Sequence, residues 1–209
     1  MTKKYTISNG TETVEVDASV VDSILKLFKK DEPIKQIEDF TPKWTCLSLP
    51  PDEDARLKMP VWMTKNLEID DGEGGITRNP DHPEYGCYYT WEAAKRIADK
   101  IPGWHLPTVQ EWDMLAVIAG GIDVAGKKLK SENCWKQDFA GEDVFGFAAL
   151  PAGYYYGCVY NVGSCAYFWT AIEYDSINVY LRYFGTGESM VSSNGYKNRQ
   201  YSVRLVKDY

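Results

Sequence analysis

Tyr167-Phe168-Trp169-Thr170 and Tyr201-Ser202-Val203-Arg204-Leu205-Val206-Lys207-Asp208 bracket the C-terminal part of the chain. Both are apolar, aromatic and β-branched, and both read as strands. The tract between them is crowded with Tyr, Asn, Ser, Asp, Gly and Ile. Rigid amphipathic rings beside small hydrogen-bonding groups are the physical recipe of adaptable binding loops. The tract supplies the candidate ligand-binding residues: Ile172, Tyr174, Asp175, Ser176, Ile177, Leu181, Tyr183, Gly185, Ser189, Val191, Ser192, Ser193, Asn194, Tyr196 and Asn198. A polar surface loop with scattered aromatics fits the same composition equally well.

Working outward, Thr90 is expected to begin a helix with Trp91, Ala94, Ile97, Ala98 and Ile101 on one side, stopped by Pro102-Gly103. Thr108 and Glu111 fit the Thr-x-x-Glu capping box of a second helix, whose apolar Trp112, Leu115, Ala116 and Ile118 run to Gly120-Gly121. Val61 to Leu67 reads as a strand. From Gly146 onward short strands alternate with Gly-rich turns, among them Phe147 to Gly157. Helices first and sheet last make an α+β domain. The stretch from Val124 to Asp143 gives no clear reading.

Residues 1–40 read as a separate unit. Tyr5-Thr6-Ile7 and Thr13-Val14-Glu15-Val16 flank Ser8-Asn9-Gly10-Thr11, a hairpin signature. A helix carrying Val20, Val21, Ile24, Leu25, Leu27 and Phe28 is expected next, ended by Asp31-Glu32-Pro33. So short a unit cannot bury its apolar stripe alone, so it docks on its own domain or serves oligomerisation or attachment.

The composition excludes several classes. A net charge of −7 argues against a nucleic-acid ligand, which needs clustered cations. Lys26 to Lys30 and Lys127-Lys128-Leu129-Lys130 read as solvated faces. No window approaches membrane-spanning length, and Met1 to Ile7 has no apolar run behind its charges, so neither membrane insertion nor a signal peptide is expected. The five cysteines contain no Cys-x-x-Cys pair. Cys158 and Cys165 could bridge a short turn, but reduced core thiols are favoured. Asp70-Asp71-Gly72-Glu73-Gly74-Gly75 lacks EF-hand spacing and reads as a solvated loop.

The ordered series Val61-Trp62-Met63-Thr64-Lys65-Asn66-Leu67, Tyr85-Gly86 to Trp91-Glu92-Ala93-Ala94, Gly103-Trp104-His105-Leu106-Pro107-Thr108 with Glu111-Trp112, Leu129-Lys130-Ser131, Gly146-Phe147 with Leu150-Pro151-Ala152-Gly153, Tyr167 to Thr170 and Ser202 to Asp208 resembles the FISUMP family of bacterial C-type-lectin-like domains. It covers residues 41–209. The resemblance implies a C-type lectin fold of the formylglycine-generating-enzyme type, with first and last strands paired and two helices packed on short antiparallel sheets. The Trp-Thr, the variable-looking tract and the closing Val-Arg-Leu-Val also resemble variable proteins of diversity-generating retroelements. That resemblance implies a variable region at about 170–200, where mutagenised adenines turn Asn codons into Tyr, Ser, Asp, Ile, Val, Gly or Leu. Positions 174–177, 181, 183, 185, 189 and 191–196 fall in that set, whereas Glu188, Met190 and Lys197 do not. Under it Tyr180, Arg182 and Phe184 are scaffold, while Leu181, Tyr183 and Gly185 point to the ligand.

The same fold hosts a copper-dependent oxidase, but its chemistry needs two close cysteines near the end of the domain, and none follows Cys165. Two histidines, His82 and His105, supply neither a triad nor a multi-His metal site, and His105 is expected to hold its turn by hydrogen bonds. No Glu-Pro-Asn, Gln-Pro-Asp or Trp-Asn-Asp calcium-sugar motif occurs. The sequence therefore predicts no catalytic residue, no metal and no cofactor. The expected function is a non-enzymatic binder of a protein or glycan receptor on a cell surface, a homo-oligomer, by analogy a trimer. A phage or prophage tail protein, in the virion or in the cytoplasm before assembly, is the first expectation. A cell-surface adhesin or carbohydrate-binding domain is the alternative.

Overall fold

The computed structural model describes residues 4–8, 13–17, 44–45 and 60–207, with the side chains of 60–136 and 138–207. β1 (Lys4–Ser8) and β2 (Thr13–Asp17) form the expected antiparallel hairpin, with Lys4 opposite Asp17 and Ser8 opposite Thr13. The helix expected over Val20 to Phe28 lies outside the described residues.

The main unit is α+β. β3 (Trp44–Thr45) and β12 (Val206–Lys207) flank β4 (Val61–Met63), so the early strand pairs with the last one. β5 (Ile76–Arg78) and β6 (Cys87–Tyr89) make a short ribbon. β7 (Tyr154–Tyr156) and β8 (Cys158–Tyr160) make a second, turning at Gly157 with its φ of 74°. The largest sheet has the order β11 (Met190–Tyr196), β10 (Asn178–Phe184), β9 (Ala166–Glu173), all antiparallel.

Three helices are described. α1 (Trp91–Asp99) is capped by Thr90, whose hydroxyl accepts from the Ala93 amide. α2 (Val109–Ile118) has the full capping box: the Glu111 amide donates to Thr108 Oγ1, and the Thr108 amide donates to Glu111 Oε2 at 2.6 Å. Both follow the sequence reading. α3 (Ile122–Leu129) does not; it falls in the stretch without a clear reading. Gly121 offers no side-chain cap, and Gly126 sits in its middle. So short a helix exists because tertiary packing holds it. A Cβ at Gly126 would lie 2.3 Å from the Ser189 carbonyl oxygen, so only glycine lets α3 approach the β10–β11 loop.

Two apolar cores lie on opposite faces of the largest sheet. Phe168, Phe184 and Met190 face Trp62, Trp112, Leu115, Leu129 and Phe147. Trp169, Val179 and Leu181 face Leu67, Trp91, Ile97, Tyr201 and Val203. Arg204 is fully buried at the junction. Its Nε donates to Asn66 Oδ1 at 2.7 Å and its Nη1 to the Met63 and Phe147 carbonyls at 2.9 and 2.7 Å. Burial pushes its pKa down to about 9, which still leaves it charged at neutral pH. Acceptors all round make that burial tolerable, and they tie the last strand to both cores.

Candidate ligand-binding surface

Strand alternation divides the tract. On β10, Arg182 and Phe184 point to the first core and Val179 and Leu181 to the second, so the central strand is covered on both faces. The expectation that Leu181 faces a ligand is corrected: it is 2% exposed and packs in the second core. The side chains alternate as the sequence predicts, but a second packed layer closes the face that carries Leu181. Position 195, included in the variable set, is also structural. A Cβ there would come within 2.6 Å of the Tyr201 hydroxyl and 2.9 Å of Leu181 Cδ2. Tyr183 is half-buried, its ring stacked on Tyr167 at 5.4 Å between centroids.

Gly185 and Ser189 lie in the β10–β11 loop, which is held from below. Lys130, read in the sequence as part of a solvated face, is 2% exposed. Its Nζ donates to the Gly185 carbonyl at 3.2 Å and the Gly187 carbonyl at 2.9 Å, and burial lowers its pKa. The Lys127 amide donates to the Glu188 carbonyl at 2.8 Å. These contacts fix the loop backbone.

The remaining candidates are open. The end of β9 carries Ile172 and the β9–β10 turn carries Tyr174, Asp175, Ser176 and Ile177, all exposed, with Ile177 at 58% and Tyr174 at 53%. Asp175 Oδ1 accepts from the amides of Ile177 and Asn178, both at 2.8 Å. The Asn178 side-chain amide donates to the same carboxylate, and these bonds lower its pKa. The turn is thus internally braced, and its apolar side chains stand out from a fixed backbone. Lys197 pairs with Glu173 at 2.6 Å and lies over the Trp91 ring, bracing the turn from beside it.

β11 is an edge strand. Ser192, Asn194 and Tyr196 are exposed on one side, and Asn198 follows, exposed, in the next turn. Val191 and Ser193 are partly covered on the other. Arg182 Nη1 donates to Ser192 Oγ at 2.6 Å and Nη2 to Asp113 Oδ1 at 2.6 Å, linking the strand to α2.

The sequence reading missed the aromatic neighbours that complete this surface. Tyr156 and Tyr160 of the β7–β8 ribbon are 53% and 42% exposed. Tyr154 stacks on Tyr160 at 5.2 Å and meets Tyr167 edge-on at 5.5 Å. The Tyr155 amide donates to the Gln200 carbonyl at 2.9 Å and the Gln200 amide to the Tyr155 carbonyl at 3.0 Å, joining the ribbon to the segment after β11. Arg199 thereby lies over the rings of Tyr196, Tyr154 and Tyr156 at 5.2, 5.5 and 5.9 Å. The run Tyr154-Tyr155-Tyr156 was the available signal.

Two polar groups singled out in the sequence, His105 and Asp71, have structural partners. His105 Nε2 lies 2.8 Å from Glu111 Oε1, holding the turn as expected. Asp71 pairs with Arg96 at 2.9 Å and Lys100 at 2.7 Å, and these cations hold its carboxyl well below the usual range. The acidic loop around it is therefore a charge-paired brace rather than a merely solvated one. No cluster of three His, Cys, Asp or Glu residues that could hold a metal occurs among the described residues. Cys87, Cys134, Cys158 and Cys165 are all free, and of these described cysteines only Cys87 is buried as a core thiol. Cys158 is exposed on the side of the β7–β8 ribbon that also carries exposed Tyr156 and Tyr160. No helix among the described residues is long and apolar enough to cross a membrane.

Comparison with known proteins agrees with a domain of this extent. The profile of the Fibrobacter succinogenes major domain matches residues 32–207, and the chain belongs to that family. Neither the curated proteins nor the solved structures yielded a match.

Proposed function

We propose that this chain is a non-enzymatic receptor-binding protein, a C-type-lectin-type scaffold that presents a diversifiable surface to a protein or glycan on a cell exterior. A phage or prophage tail protein altered by a diversity-generating retroelement is the particular setting proposed. The pairing of β4 with β12 and the helices packed on short antiparallel sheets are what such a scaffold requires.

One observation carries the reading. Large exposed apolar side chains among the described residues are Ile122, Tyr156, Tyr160, Ile172, Tyr174, Ile177 and Tyr196. All but Ile122 come from the β7–β8 ribbon, the end of β9 with the turn that follows it, and the edge strand β11. Apolar exposure concentrated in this way, on backbones braced by Asp175 and the Tyr155–Gln200 bridge, is the mark of an interaction surface rather than of scattered surface residues.

The test is to sequence the encoding DNA with its flanks. The expected result is a second copy of the 3′ end beside a reverse-transcriptase gene, differing at adenines in the codons for 174–177, 192, 194 and 196. Leu181 and Gly195 are expected to be unchanged, because both lie in the core. No second copy, or differences concentrated on core codons, would overturn the diversified reading.

A further inference from the structure

We propose that Arg199, with the rings of Tyr154, Tyr156, Tyr160 and Tyr196, forms a subsite for a carboxylate-bearing sugar, a uronic or sialic acid unit of a glycan. The inference rests on the receptor-binding reading and names the chemistry of the ligand.

Arg199 is the cation of the aromatic surface. Arg96 and Arg182 each pair with a carboxylate, at Asp71 and Asp113, whereas no carboxylate pairs with Arg199 among the described residues. Its hydrogen-bonding neighbour is the Tyr201 hydroxyl, and its guanidinium lies over the rings of Tyr196, Tyr154 and Tyr156. Four buried side-chain nitrogen or oxygen atoms among the described residues lack a hydrogen-bond partner, and two of them are Arg199 Nε and the neighbouring Gln200 Oε1. Arg199 Nε is enclosed, so a ligand carboxylate would take the guanidinium at its terminal nitrogens, which no carboxylate of the described residues pairs with, through a charge-assisted bond.

The rings supply the other half. Tyr156, Tyr160 and Tyr196 are each at least 42% exposed, so their faces are open to a ligand. A pyranose has an apolar C–H face that stacks on such rings, and its hydroxyls match phenolic oxygens. The two-way backbone bridge between Tyr155 and Gln200 holds ring and cation in fixed relation before any ligand arrives, so little ordering is needed on binding. A single cation flanked by rings suits one carboxylate, not a polyphosphate backbone.

The experiment titrates the full chain with tetragalacturonic acid and 3′-sialyllactose, and with their neutral counterparts, carboxyl-reduced tetragalacturonate and lactose. At least one acidic sugar is expected to bind about tenfold more tightly than its counterpart. Which of the two shows the preference identifies a uronic or a sialic source. Arg199→Gln is expected to erase the preference without moving the melting temperature, and Tyr160→Ala to weaken acidic and neutral sugars alike. Should Arg199→Gln fail to fold, the wild-type preference for the acid over its neutral form decides by itself. Equal affinity for acid and neutral sugar, retention of the preference in folded Arg199→Gln, or equal binding of a Glu-rich peptide would overturn the proposal. A wild-type chain that adsorbs to cells without preferring acidic sugars would sink this subsite and leave the receptor-binding reading intact.

Discussion

Tyr174 and Leu181 lie in one tract, in similar sequence company, yet the first is 53% exposed at a turn and the second 2% exposed in a core. The difference is set by what lies above each residue. Tyr174 belongs to a turn past the last packed layer, so its ring can project even though it touches Tyr180 edge-on at 5.1 Å. Leu181 belongs to the central strand of a sheet with an apolar cluster on each face. Large side chains stand free only where the layers stop. The tract is therefore a covered central strand with exposed ends.

The largest effect is expected from the layers themselves. Trp112→Ala should cost about 3 to 5 kcal/mol, read from urea unfolding, since this ring contacts Trp62, Phe147, Phe168 and Phe184. Leu181→Ala comes next, at about 2 to 5 kcal/mol. A loss below about 0.5 kcal/mol there would break the comparison, because it would mean that position 181 belongs to the surface. Gly126→Ala should cost about 1 to 3 kcal/mol by pushing α3 off the Ser189 and Glu188 carbonyls. Its effect would sharpen the point that the β10–β11 loop is clamped.

A smaller effect depends on pH. Burial raises the pKa of Glu111, but hydrogen bonds from His105 and Thr108 outweigh it and leave the carboxyl below its ordinary 4.5. A depressed folded-state pKa gives stability that is present above the unfolded value and lost as pH falls through the folded one. Glu111→Gln should thus flatten the fall in melting temperature between about pH 5 and pH 3. An unchanged slope would show that the capping box carries no such linkage. Ile177→Ala, at the exposed turn, should shift stability by no more than about 0.5 kcal/mol.

Legibility in the sequence followed the range of the interaction. The capping box of Thr108 and Glu111 spans three residues, and both helices with side-chain caps were readable. The alternation of Tyr180 to Gly185 was readable too, because strand geometry is local. Which of the alternating faces is covered was not, since Leu181 is covered by residues as distant as Leu67 and Trp91. Lys130 looked like any surface lysine until the carbonyls of Gly185 and Gly187 came to it. Nor could sequence place Arg199 against Tyr154 and Tyr156, which only the Tyr155–Gln200 bridge brings together.

The most direct measurement compares two variants by melting temperature and by adsorption to a panel of bacterial cells and immobilised glycans. The Tyr174→Ala/Tyr196→Ala double variant is expected to melt within a few degrees of wild type and to lose the adsorption that wild type shows. Leu181→Ala is expected to melt far lower. Adsorption retained by the double tyrosine variant, a stability loss in it as large as that of Leu181→Ala, or no adsorption by the wild-type chain would contradict the account.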